Sequence, residues 1–246
     1  VRPIHRPVGS AMSSPRAVGQ AFDRAAATYE QASPLQASVA ARLLAQVGER
    51  VQPGQVWMDA GCGTGRLARA LAARGARVWA IDQAPAMLDG LDRVDGIEPL
   101  CLDLADLPLP EGMLDGWVSS FALHWLGPEV LPALLRLLRP GGEAHVAVPV
   151  QGSLAALQPR CPGVPVMQFH PAADWLAQSG VVQAEQFAIH QPYADLRSLW
   201  QDLRQMGGAQ LGAAPPRPTV SVAQWRQWWR DPEPIALDYQ VLLLRL

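Results

Sequence analysis

Three glycines in five positions, Gly61, Gly63 and Gly65, stand directly behind the apolar run Val56–Ala60 in the stretch VWMDAGCGTG, and no other stretch limits the possible folds more. A backbone without side chains can turn sharply there and let a ligand lie against it. The following run, LARALAAR closed by Gly75, reads as a helix with a glycine at its C-terminal end. A strand, a glycine turn and a helix make the first unit of an open parallel sheet, and such sheets bind ligands beyond the carboxyl ends of their strands.

The alternation continues along the chain. After Pro53 and Gly54, the strand-like runs VWMDA, RVWAID, PLCLDL, LDGWVSSFAL and EAHVAVPV are separated by LARALAARG, a short helix near PAMLDGLD, and VLPALLRLL. This pattern predicts an α/β fold, a doubly wound, mostly parallel sheet with helices on both faces. Ahead of Pro53, Val39, Leu43, Leu44 and Val47 recur at helical spacing. The opening VRPIHRPVGSAMSSPRAVGQ has no sustained period and is rich in Pro, Ser, Gly and Arg, so residues 1–20 are expected to form a flexible leader, with Met12 a candidate start residue. From about Gln151 onward, QGSLAAL, a helix near PAADWLAQSG, strand-like VVQAEQFAIH, helical ADLRSLWQDLRQMGG and a final strand IALDYQVLLLRL are expected to supply the antiparallel end of the sheet and helices that cover the ligand.

Composition removes several classes of function. With 246 residues, 49% of them hydrophobic, the chain can bury one large core that carries a lid. A net charge of -2 gives no electrostatic footprint for nucleic acid. Cys62, Cys101 and Cys161 include no C-x-x-C pair, so neither a disulfide framework nor a metal site is expected, and a cytoplasmic setting is favoured. The apolar runs break well before 18 residues, so no membrane span is expected.

The glycine spacing narrows the ligand. A dinucleotide fold takes G-x-G-x-x-G, but Arg66 occupies the place of its last glycine, and no Gly-Lys-Ser/Thr follows to make a P-loop. What remains is a ligand without phosphates lying on the backbone, with Asp59 ahead of the glycines to meet a cationic group.

The run DAGCGTG resembles the first motif, D-x-G-x-G-x-G, of class I S-adenosylmethionine-dependent methyltransferases. The resemblance implies a seven-stranded Rossmann-like sheet with a helical lid, and S-adenosyl-L-methionine as cofactor. By it, Gly61, Gly63 and Gly65 admit the methionyl and ribose parts, and Asp59 faces the ammonium. Asp82, ending RVWAID, accepts from both ribose hydroxyls, which suits the paired oxygens of a carboxylate. Asp103 accepts from the adenine amino group and Leu104 lies against the ring. One methyltransferase domain is then expected over 21–246: N-terminal lid helices to 50, a cofactor-binding core over 51–150, and the sheet end with the substrate lid over 151–246.

A longer resemblance reaches the substrate. AFDRAAATYEQ, the pair His124-Trp125, VPVQGSLAAL and SLWQDLRQMGGAQL are similar to malonyl-acyl-carrier-protein O-methyltransferases of biotin synthesis. This implies methyl transfer to the free carboxylate of a malonyl thioester, with malonyl-acyl carrier protein as partner and neither nucleic acid nor membrane involved. Arg204 in LRQMGG stands where the family carries Lys, and Arg197, Arg204 and Arg217 would face an acidic carrier. Another small carboxylic acid or a hydroxyl acceptor remains open, as does a non-catalytic cofactor-binding subunit.

A carboxylate with a pKa near ~4 is already ionised at neutral pH, so its methylation needs no general base. Water exclusion then matters. Phe22 and Tyr29, seven residues apart, share a helical face and are lid candidates, although they would serve equally to dock that helix on the core. His124 is the base if the acceptor is a hydroxyl, and otherwise shapes the pocket or donates to substrate. Trp125 accompanies it. Trp225, Trp228 and Trp229, at helical spacing, read as a core face or lid contact, and Cys62 as a small spacer within the loop.

Overall fold

A computed structural model describes residues 19–20, 22–24, 26, 34–164, 166–205 and 221–246. Its seven strands are β1 (Val56–Ala60), β2 (Arg77–Asp82), β3 (Ile97–Cys101), β4 (Leu114–Ser120), β5 (Leu138–Val150), β6 (Gln183–Tyr193) and β7 (Ile235–Arg245). They form one sheet in the order β3-β2-β1-β4-β5-β7-β6. The first five run parallel, while β7 lies antiparallel to both β5 and β6. The chain crosses from one side of β1 to the other after β3, so the order reverses between β1 and β4, where open α/β sheets open a crevice.

Helices α1 (Pro34–Val47), α2 (Arg66–Ala72), α3 (Leu131–Leu135), α4 (Leu157–Arg160), α5 (Ala172–Leu176), α6 (Leu196–Gln205) and α7 (Val222–Arg230) complete the described elements, with short 3-10 turns between some of them. Burial is near-continuous in the central strands β1 and β4 and in the second half of β5, where both faces are covered, while the edge strand β6 is largely exposed. Alternate residues of β1 divide between two cores: Trp57 packs with Val39 and Leu43 of α1 and Leu67 and Leu71 of α2, while Met58 packs with Trp117, Leu131 and Trp175 on the opposite face. Gly116 pairs with Trp57. A Cβ there would stand 2.5 Å from the indole, so a glycine in the middle of β4 is what lets Trp57 lie across the strand.

The structure departs from the sequence pattern in places. PAMLDGLD forms two 3-10 turns, Pro85–Met87 and Leu91–Arg93, because Gly90 (φ 77°) sits between them in the left-handed region. VLPALLRLL is helical only over α3. β5 begins earlier than expected, running through Pro140, Gly141 and Gly142, and the β4–β5 register shifts between Leu114 and Gly116 to absorb that stretch. Among the described residues no helix is long and apolar enough to cross a membrane.

Candidate active site

The glycine turn leaves β1 at the reversal of strand order. Gly61, Gly63 and Gly65 have φ of 75°, 52° and 84°, a region glycine enters without steric penalty. The amides of Gly61 and Cys62 both donate to the Ile81 carbonyl, at 2.8 and 2.9 Å, fastening the turn to β2. A Cβ on Gly61 would stand 2.2 Å from that of Ala122, and one on Gly65 would stand 2.5 Å from Leu91 Cδ2. Two of the glycines are thus required by the protein's own packing, quite apart from any ligand. Cys62 is buried, and burial raises its thiol pKa well above the ordinary value, as suits a spacer.

Three acids line consecutive strand ends. Asp59 in β1 is 1% exposed; its Oδ2 accepts from the Ala68 amide at 2.9 Å, holding the first turn of α2, and its Oδ1 has no hydrogen-bond partner. Burial pushes its pKa up to about 7, against the Ala68 amide and with the neighbouring Asp82 charge. At the end of β2, Asp82 Oδ1 accepts from Ala84 and Oδ2 from Gly63, each at 2.9 Å. Its pKa is raised too, mainly by burial, while these amides oppose the shift. Each oxygen keeps a second acceptor position. Beyond β3, Asp103 is exposed, its Oδ1 accepting from Ala105, and Leu104 is half-buried with Cδ1 3.7 Å from the Cβ position of Gly61. A buried carboxylate oxygen without a partner suits an ammonium, two anchored oxygens suit a vicinal diol, and Leu104 beside the bare turn suits an apolar ring. The residues fit S-adenosylmethionine.

The exit of β4 has a different character. Phe121 has φ 54°, a left-handed backbone that a bulky residue rarely takes. Its ring lies 5.8 Å from Tyr239 and 6.2 Å from His124, measured between centroids. His124 in turn is 4.9 Å from Trp125 and 5.7 Å from Phe169, and Trp125 meets Phe22 edge-on at 6.2 Å. His124 is part-buried as a residue, but its Nδ1 is sealed from solvent and has no partner; burial pushes its pKa down to about 3. Ser120 Oγ, at the last position of β4, is likewise buried without a partner. On the other side of the site, Asp23 ties the front helical residues to the turn after β2, its Oδ1 accepting from the Ala86 amide at 3.0 Å.

The structure therefore brings Phe22, His124 and Trp125 together, and adds Ser120, Phe121, Phe169 and Tyr239, which the sequence did not single out. Tyr29 and Arg217, like residues 1–18, lie outside the described residues. Arg204 falls within α6, but its side chain is not among those described. Arg197 is exposed, its guanidinium 5.7 Å from the Trp229 ring centroid. Trp228 is buried in the core with Trp200, and Trp225 meets both at 5.5 Å, so α7 presents a packing face to α6. Among the described residues no cluster of His, Cys, Asp or Glu could hold a metal ion.

A methyltransferase-domain family matches residues 58–146, from β1 into β5. A malonyl-[acyl-carrier protein] O-methyltransferase of Serratia marcescens is 40% identical over 145 residues, which span 58% of this chain and 56% of that protein. One of Alcanivorax borkumensis is 32% identical over 228 residues, covering 86% of this chain and 77% of that protein. A geranyl diphosphate methyltransferase solved in complex with S-adenosylmethionine superposes with a TM-score of 0.53 over 85% of this chain and 83% of its own; at 18% identity this shows the fold. The chain belongs to the S-adenosylmethionine-dependent methyltransferases, in the family that holds the malonyl-[acyl-carrier protein] O-methyltransferases.

Proposed function

We propose that this chain transfers a methyl group to the free carboxylate of a malonyl thioester, carried on an acyl carrier protein, as an early step of biotin synthesis. The relatives' names support the substrate. The observation that carries the choice of a carboxylate over a hydroxyl is His124. A hydroxyl must lose its proton during transfer, but His124 Nδ1 is buried with no carboxylate or other partner to support an imidazolium, and burial lowers its pKa to about 3, so the ring is a poor base for it. The raised carboxyls, Asp59 and Asp82, are engaged with backbone amides of α2 and of the glycine turn and its neighbour.

Asp59, Asp82, Asp103, Leu104 and the three glycines would hold the cofactor, which supplies an electrophilic methyl on a positive sulfur. The acceptor carboxylate would attack with a lone pair it already holds, so no residue of this chain would have to remove a proton. A negative oxygen and a positive sulfur neutralise each other along this path, so a dry, aligned site favours it. The rings of Phe121, Trp125, Phe169 and Tyr239 would give the β4 exit an apolar wall around His124.

Incubation with methyl-labelled S-adenosylmethionine and either malonyl-coenzyme A or a malonylated carrier protein, read by mass spectrometry, tests the proposal. A base-labile methyl ester on the malonyl group is expected. Cofactor binding without turnover on any carboxylic acceptor would instead mark a non-catalytic subunit.

A further inference from the structure

Ser119 and Ser120 are neighbours in β4 with opposite fates. Ser119 is buried, and its hydroxyl donates to the Ala60 carbonyl at 2.8 Å, joining β4 to β1. Ser120 points to the other side of the strand, as period-two alternation requires, and its buried Oγ has no partner. Four residues later His124 Nδ1 is buried and unpartnered as well. Between them Phe121 takes its left-handed φ of 54°, and Ala122 packs so closely on the glycine turn that only a glycine fits at position 61. Buried polar atoms are nearly always paired, and backbone outliers held by their surroundings cluster at ligand sites. Three such anomalies fall within five residues, flanking the Ala122 that packs on the glycine turn, and mark a place that fits a further polar group.

We propose that the Ser120 hydroxyl and the neutral His124 imidazole are the paired hydrogen-bond donors that seat the acceptor carboxylate, holding the oxygen that is not methylated. This deepens the carboxylate reading above and rests on it. Neutral donors suit the reaction. A guanidinium on the carboxylate would bind it strongly but also hold back its lone pair, whereas a hydroxyl and an imidazole N–H fix its orientation with less withdrawal of charge. Their burial supplies selectivity, because an acceptor without an oxygen at that place leaves both donors unpaired. His124 serves in the tautomer that carries its proton on Nδ1, and in the ligand-free protein burial holds the ring neutral.

The test is calorimetric titration of malonyl-coenzyme A into protein saturated with S-adenosylhomocysteine, with thermal unfolding measured alongside. Ser120→Ala is expected to weaken malonyl-coenzyme A about tenfold, to leave S-adenosylhomocysteine affinity unchanged, and to unfold no earlier than wild type, because it deletes a buried hydroxyl that bonds to nothing. Ser120→Thr retains the donor and should recover most of the loss. His124→Gln, which keeps a neutral donor, should bind better than His124→Phe. A Ser120→Ala protein that binds malonyl-coenzyme A like wild type, or that loses stability and both ligands together, overturns the seat while leaving the carboxylate reading in place. Wild-type protein that does not bind malonyl-coenzyme A at all overturns both.

Discussion

The two halves of the site are built on opposite principles. On the cofactor side, at the ends of β1, β2 and β3, Asp59, Asp82 and Asp103 each hold a backbone amide of the loop or helix that follows them, and the glycine turn is bonded to β2. On the side proposed for the acceptor, at the exit of β4, Ser120 Oγ and His124 Nδ1 are buried without a partner and Phe121 has a left-handed φ of 54°. The carboxylates of the first half are already anchored to the backbone before any ligand arrives, while Asp59 keeps one buried oxygen without a partner. The second keeps its polar groups in reserve behind aromatic rings. A methyltransferase of this kind needs both: the cofactor is common to the fold, so its cradle can be structural, whereas the acceptor must be recognised by groups that remain free.

The contrast can be broken most severely at the point where the halves touch. Gly61→Ala adds a Cβ 2.2 Å from that of Ala122 and forces a side chain onto φ 75°. A destabilisation of about 2–5 kcal/mol is expected in denaturant unfolding, with cofactor binding lost. Adding Ala122→Gly should relieve the clash but not the backbone strain, so the double variant should recover part of the stability.

Asp82→Ala should damage the cofactor half alone. It removes the acceptors for Gly63 and Ala84 along with those offered to the ribose, and a loss of about 2 kcal/mol, roughly thirtyfold in cofactor affinity by calorimetry, is expected. Acceptor affinity that fell as far would show that the two halves are not separable.

How much of this was legible beforehand follows the same division. A parallel sheet brings its strand ends together, so the glycine turn and Asp59 can be read as candidates from the residues themselves, and Asp82 and Asp103 from the resemblance to the D-x-G-x-G-x-G family. The aromatic wall at the β4 exit comes from residues 22, 121, 124, 125, 169 and 239. Phe22, His124 and Trp125 are legible as candidates, but Phe121, Phe169 and Tyr239 look like ordinary core residues until the fold assembles them. Ser120 is harder still, because in SSFAL nothing separates it from Ser119; only the hydroxyl's direction does. The double role of Gly61 and Gly65 was also hidden, since the atoms that demand them belong to Ala122 and Leu91, far along the chain.

A smaller effect distinguishes Asp59 from the other acids. Its folded pKa of about 7 lies above the ordinary value of 3.8, so between these the folded state holds a proton that the unfolded chain has released. Stability from this group is therefore present at low pH, falls as pH rises from about 4 to about 7, and is flat above. Asp59→Asn keeps an acceptor for the Ala68 amide and should flatten that slope in thermal unfolding curves, making the ligand-free protein more stable at about pH 8 while weakening the cofactor. In wild type, binding of the ammonium should expel the proton below pH ~7, seen as a dependence of the binding heat on buffer ionisation enthalpy.

The central claim is that the acceptor arrives already ionised and that no base is needed. The most direct test is the single-turnover rate of methyl transfer to malonyl-coenzyme A at saturating S-adenosylmethionine, followed against pH in wild type and in His124→Ala. The account predicts rates that stay level from about pH 6 to about pH 8 in both proteins, with the variant weaker in acceptor binding and no new ionisation in its profile. A wild-type rate that drops about tenfold per pH unit on the acid side, together with a loss of a hundredfold or so in His124→Ala that high pH restores, would contradict it and make His124 the base for a hydroxyl acceptor.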